Sequence, residues 1–286
     1  TSNYLFIKSK LFMFGFINYK LFKMKKLLFV ILTIAFINVS FSQDTDRHYF
    51  RMHYVDVTGN VGEFIKANRE YFKPLAIDAV KENKWAGWTM LRSVTESSRF
   101  IFVHHFSNSE QVAKTHNNFG SIFNNKRAKE LDLTAPDWSK FSMSSDKSYE
   151  IWERNGQVGD GKNTNFFIIN HFKFNNKKKF IENNRLWGSL VVKPQLEKTK
   201  GLSWGCATIL SSSSGEDGKM KSFNGMSWDG YNSLSEILNN FSYNEDNSWD
   251  NKYFKTFMKE IKDKDLTKFA NAKQSEIYEL IDSSFN

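Results

Sequence analysis

From His48 onward, apolar and polar positions fall into two rhythms, one of period two and one of helical period, and their succession runs twice. "HYFRMHYVDV" (His48–Val57) and "NFFIINHFKF" (Asn165–Phe174) are short and rich in aromatic and β-branched residues, and they predict strands. After the first of them, Phe64, Asn68, Tyr71, Leu75 and Ala79 recur at helical spacing and predict a helix from about Gly62 to Asn83; the matching stretch runs from Lys177 to Thr199. Pro74 has no backbone N–H to donate, so it predicts a kink or a division in the first of these helices. "WAGWTMLRS" and "LSWGCATIL" then predict second strands, and "RFIFVHHFS" and "FNGMSWDGY" third ones. A helical region and a last strand, "SYEIWER" or "SEIYELI", close each succession.

The two successions are similar in letters as well as in rhythm. An offset of 116 residues pairs Phe50 with Phe166, Phe64 with Phe180, Asn68 with Asn184, Arg69 with Arg185 and Trp88 with Trp204. Beyond "SSSSGEDGKMK" (Ser211–Lys221) the offset is 126, pairing Glu110 with Glu236 and "EIWE" with "EIYE". A length change confined to a polar hairpin tip is what a duplicated unit tolerates. The order in each copy, βαββαβ, is the ferredoxin-like unit. One such unit leaves a sheet face uncovered, and an apolar face of that size associates. The expectation is an α+β fold in which two tandem ferredoxin-like repeats, over 43–155 and 165–286, close one barrel within a single chain. The chain would then be monomeric by self-dimerisation, with "NGQVGDGKNT" (Asn155–Thr164) as the connection.

The first 42 residues follow different rules, holding six Lys and no acidic residue. From Met24, a basic pair, an apolar run over Leu27–Val39 and small residues at Ser40 and Ser42 make the pattern of a secretory signal peptide (24–42) cleaved near Ser42–Gln43. The apolar run is short of the roughly 20 residues that span a bilayer, so no membrane anchor is expected after cleavage; residues 1–23 read as upstream translation. The expected location is secreted or periplasmic. The leader also accounts for most of the charge. The chain carries +9, and without those six Lys 34 basic residues face 31 acidic ones, +3. That balance gives little reason to expect a nucleic-acid partner, and Cys206, the sole cysteine, allows no internal disulfide.

The arrangement resembles the dimeric α/β-barrel superfamily in a tandem form, over both copies. More narrowly, "YFRMHYVDVTGN…EYFKPL…WAGWTMLRSV" resembles a group of uncharacterised secreted bacterial proteins of that class, in its aromatic–Pro element and in the Gly-Trp of the second strand. The second copy departs from this pattern: Leu190 stands for Pro74, and Ser203–Trp204 for Gly-Trp. The superfamily includes heme-degrading and quinone-forming monooxygenases, heme peroxidase-like enzymes, small-lactone isomerases and stress-response proteins. The resemblance thus allows heme as a cofactor and does not choose among these activities.

Candidate chemistry concentrates in the first copy. The 116 and 126 offsets set Arg51 against Phe167, His53 against Ile169, Arg92 against Thr208, His104 against Gly230 and His105 against Tyr231. First and third strands are neighbours in such a sheet, so His53 approaches the His104–His105 pair, and only one of the two can share its face. His53, His104 and Arg92 are the candidate catalytic groups, because His titrates near neutrality and Arg stays charged. Arg51, Asn68, Trp88 and His105 are the candidate ligand contacts. Two His without a placed carboxylate fall short of a zinc ligand set, so no metal is expected. Asn68 and Asn184 either orient a ligand or bond a neighbouring backbone group; Trp88 and Trp204 are core aromatics or platforms for a flat ligand. Cys206, opposite Met90, reads as a small core residue. Three functions stay open: a small apolar or aromatic molecule held between sheet and helices, an oxidoreductase of the monooxygenase or heme-binding type, and a filled barrel with a structural or stress-response role.

Overall fold

The computed structural model describes residues 48–122, 125–141, 143–161, 163–196, 203–212, 223–241, 252–261 and 270–285. The predicted leader with its expected cleavage point, and most of the polar loop Ser211–Lys221, lie outside them. Eight antiparallel strands form a closed barrel: β1 (Tyr49–Val57), β2 (Gly87–Ser93), β3 (Arg99–Phe106), β4 (Met143–Val158), β5 (Phe166–Phe174), β6 (Ser203–Ser212), β7 (Gly225–Tyr231) and β8 (Ala270–Ser283). Around the barrel the order is β1-β3-β2-β8-β5-β7-β6-β4. Each half thus supplies a run of four, β4-β1-β3-β2 and β8-β5-β7-β6, and the runs meet at the β2·β8 and β4·β6 seams. This is an α+β barrel with its helices outside, the dimeric α/β-barrel architecture that the resemblance implies.

Strand alternation sends one set of side chains inward and the other under the helices. Phe50, Met52, Leu91, Ile101, Val103, Trp152, Ile169, Ala207, Met226 and Tyr278 form the barrel interior. Tyr49, Val55, Val57, Trp88, Met90, Phe100, Phe102 and Phe106 face outward and pack with Phe64, Ala67 and Ala76 of the first helical layer. Both sheet faces are therefore buried, which is why apolar residues crowd both registers of the strands. Two carboxylates stand in the interior on matching strands. Glu150, completely buried, accepts from Trp152 Nε1 (2.9 Å) and Tyr54 Oη (3.2 Å); Glu276 accepts from Tyr278 Oη and Ser93 Oγ, both at 2.7 Å.

The helical layer keeps its local signals in duplicate. Helix α1 (Val61–Ala67) is capped by Asn60, whose Oδ1 accepts from Glu63 N, and α5 (Lys177–Trp187) by Asn176, which accepts from Lys179 N, each at 3.1 Å. Asn176→Ala is expected to cost about 1 kcal/mol, visible as a lower urea midpoint with unchanged slope. A single wide π-turn follows each helix, Asn68–Phe72 or Gly188–Val192, closed by the N–H of Lys73 on Asn68 O or of Lys193 on Gly188 O. Then come α2 (Lys73–Lys81) and α6 (Lys193–Leu196), each with Pro at its second position. The expected division at Pro74 is thus a π-turn, which places the prolyl nitrogen where no helical hydrogen bond is required. The counterpart of Lys73-Pro74 is Lys193-Pro194, not Leu190, because the second helix carries one more turn before its π-turn. Gly188 lets that turn lie on Trp204, since a Cβ there would stand 2.7 Å from the indole.

The other α-helices of the described residues are α3 (Ser109–Ile122), α4 (Asn125–Glu130), α7 (Leu234–Phe241) and α8 (Lys252–Glu260). Gln111 N bonds Asn108 Oδ1 while Gln111 Oε1 accepts from Ser107 N. The same exchange joins Glu236 with Ser233 and Asn232, which sets Gln111, not Glu110, opposite Glu236.

Candidate functional site

β1 and β3 pair with Arg51 opposite His104 and His53 opposite Phe102, while β2 sets Trp88 on the other side of His104. The outward parity shared by Tyr49, Val55 and Phe102 brings Arg51, His53, His104 and Trp88 onto the helix-facing surface. His104 is 3% exposed, and its ring meets Trp85 nearly edge-on at 4.7 Å between centroids. Burial pushes its imidazole well below the usual range, the charges of Arg51, His53 and His105 push further, and a hydrogen bond with the Arg51 backbone opposes them. A neutral imidazole therefore sits beside a permanent cation. His53 is half-buried, its ring 6.4 Å from that of Phe102.

Asn68 opens the π-turn on the helix stripe that buries Phe64, Tyr71 and Leu75. It is completely buried; Nδ2 donates to Phe64 O at 2.8 Å, and Oδ1 takes no hydrogen bond from the described residues. Asn184 makes the same bond to Phe180 O at 2.8 Å. Both asparagines thus bond their own helix.

Two of the expected groups stand elsewhere. His105 is on the other face, inside the barrel, 3.1 Å from Thr89 Oγ1 and against the Phe285 ring at 5.3 Å. Burial first, then the charges of Arg154 and His48, bring its imidazole to about 4. Arg92 faces the helix side but lies four residues along β2 from Trp88, about 13 Å at strand rise, where Nε donates to Ser97 O at 2.8 Å. Trp85, which the sequence did not single out, is the ring against His104. Among the described residues no group of three or more His, Cys, Asp or Glu is placed to hold a metal ion.

The second half presents a polar pair at the same places. The barrel-facing residues Phe50 and Met52 pair with Trp152 and Glu150, as Phe167 and Ile169 pair with Tyr278 and Glu276. On β6 and β7, Trp204 stands opposite Asp229 as Trp88 stands opposite His104. The counterparts of Arg51, His53 and His104 are therefore Ile168, Asn170 and Asp229, one residue removed from the Phe167, Ile169 and Gly230 of the sequence alignment. The counterpart of His105 is Gly230, not Tyr231. The second half is not uniformly apolar at these positions; it exchanges imidazoles for a carboxyl and a carboxamide.

No protein-family model matches the chain, and no curated protein does. Among solved structures, an anthrone oxidase-like protein is similar over 84% of this chain and 93% of its own, at 10% identity and a TM-score of 0.48. A heme-binding protein from Thermus thermophilus is similar over 82% and 92%, at 7% identity and a TM-score of 0.39. A mutant chlorite dismutase from Candidatus Nitrospira defluvii is similar over 82% and 91%, at 7% identity and a TM-score of 0.40. Likenesses at this level carry no argument about chemistry, which has to come from this chain's own residues.

Proposed function

We propose that the chain is an exported small-molecule-binding barrel, formed by duplication of a ferredoxin-like unit and closed within one monomer. Its ligand site lies on the helix-facing surface of the first half, around Arg51, His53 and His104. The ligand class that suits these groups is a small apolar molecule with an anionic group, the guanidinium taking the charge and the accessible edge of the layer at His53 the body. One observation carries the reading: Arg51 and His53 are partly accessible polar side chains set among buried rings, beside a His104 held neutral. The barrel interior is a poorer candidate, because side chains from all its strands fill it.

Heme fits this layer badly. A porphyrin between sheet and helices would have to displace Phe64, Trp85, Trp88, Phe100 and Phe102, every one of them under a tenth exposed. His104 cannot turn toward a ligand without leaving Trp85. A cofactor-free oxidoreductase of the monooxygenase type is the second reading, with the half-buried His53 as the hydrogen-bonding group beside the fixed charge of Arg51.

Anilinonaphthalene sulfonate, flat and anionic, is a suitable probe. Saturable fluorescence enhancement is expected with the folded protein, and Arg51→Gln is expected to weaken it about tenfold, the value of one lost charge-assisted hydrogen bond. His105→Gln, altered inside the barrel, should bind as the parent does. Equal affinity of the parent and Arg51→Gln would remove the site from the first half.

A further inference from the structure

We propose that the second half carries a separate site of opposite charge preference, centred on Asp229 and Asn170, that binds a small protonated amine. Asp229 occupies the place of His104 and Asn170 that of His53, while Ile168 stands where Arg51 supplies the first half with its cation. Sequence divergence at this pair has exchanged a basic for an acidic surface, leaving the strand register and the adjacent tryptophan in place.

The hydrogen bonds around Asp229 are directional. Ser275 Oγ donates to Asn170 Oδ1 at 2.6 Å, which fixes the carboxamide so that Nδ2 points at Asp229 Oδ2, 3.1 Å away. Nδ2 also reaches Ser227 Oγ, at 3.5 Å. Oδ1 of Asp229 takes no hydrogen bond from the described residues and is not sealed from solvent, since Asp229 is only half-buried. Among the described residues no Lys, Arg or His forms an ion pair with it, although ion pairs are frequent elsewhere on the outer surface.

A carboxyl in a low-dielectric surrounding with no cation is costly to ionise and gains most from a partner that brings one. An ammonium group does so, with N–H donors for the open Oδ1. Ser227 and Asn170 border the position, and Trp204 lies beside it on β6. A carboxylate ligand would meet the wrong charge here, as an amine would at Arg51.

The carboxyl is raised to about 7 by burial, with the Asn170 hydrogen bond opposing. Among the described residues, the titratable or charged side chains on this face include Cys206 on β6, Tyr231 on β7, Glu279 on β8 and Arg185 on α5, and none contributes to that shift. Amine binding is thus coupled to loss of the Asp229 proton, and affinity should rise about tenfold between pH 6 and pH 8 as the ionised fraction grows.

The test is calorimetric titration of the full chain with phenethylamine, with the neutral 2-phenylethanol as control. Support is saturable binding of the amine alone, tighter at pH 8 than at pH 6, lost at least tenfold in Asp229→Asn and weakened in Asn170→Ala. No binding of the amine at pH 8, equal binding of the alcohol, or unchanged affinity in Asp229→Asn would each overturn the proposal. The variants also separate the two sites: Arg51→Gln should leave amine binding intact, and Asp229→Asn should leave sulfonate binding intact. Failure of one reading is therefore visible without failure of the other.

Discussion

Trp152→Ala is expected to destabilise the barrel by about 5 kcal/mol, a large part of the roughly 5–15 kcal/mol that holds a domain folded. Trp152 is wholly buried in the interior, stacked on Phe50 at 6.3 Å and on Phe223 at 6.2 Å. Truncation opens a cavity that rings on different strands cannot collapse to fill. It also removes the Nε1–H that Glu150 accepts at 2.9 Å, taking one donor from a completely buried carboxylate. Trp152→Phe separates the two effects: it keeps most of the packing and loses the donor, for an expected cost of about 1–3 kcal/mol. Urea unfolding followed by circular dichroism measures both. A midpoint for Trp152→Ala close to that of the parent would mean that the closed barrel does not depend on its interior packing.

Asp229→Asn is expected to stabilise the protein at alkaline pH and to do nothing at acid pH. The folded-state carboxyl lies at about 7, whereas an unfolded Asp titrates near about 3.9. The folded state therefore holds this proton more tightly. Its contribution is fully present below about pH 4 and is lost as pH rises through 7, where ionisation in the low-dielectric surface must be forced. The penalty at pH 8 is on the order of 2–4 kcal/mol, allowing for solvent access to the half-buried group. Asn170 can still donate to the substituted amide oxygen, so the variant should melt roughly 5–10 °C above the parent at pH 8 and together with it at pH 4. A melting difference that does not change between those pH values would contradict a raised carboxyl at this position.

The features legible in the sequence are those whose chemistry is local. Asn60 and Asn176 cap their helices through their own side chains, Phe64 and Phe180 follow at a fixed distance, and Pro74 marks a break close to where the π-turn lies. The order of elements and the closure of two halves into a barrel can be argued from them. Strand register cannot. With both faces of each strand buried, Phe166 and Phe167 are equally plausible partners for Phe50, and a one-residue slip exchanges inside for outside. That slip conceals Asp229 and Asn170, whose importance lies in their facing the helices together. The one-turn insertion in α5 conceals Pro194 in the same way. Of the candidate residues, Arg51, His53, His104 and Trp88 converge because the pairing of β1, β2 and β3 follows from topology. His105 is turned away by alternation, and Arg92 lies too far along its strand.

The two seams also set an order of events in time. Thr89 of β2 pairs with Ser283 of β8, and Val158 of β4 with Trp204 of β6. The first of these joins residues far apart in sequence, so closure depends on some of the most distant contacts in the chain, which form slowly. Until β8 arrives, Leu91 and Ile101 line a half-built wall with its hydrogen-bonding edge open along β2, and such an edge recruits strands from other molecules. The closing strand is thus the step at which a nascent chain either completes itself or aggregates. A refolding experiment should find that β8, supplied in time, decides the yield.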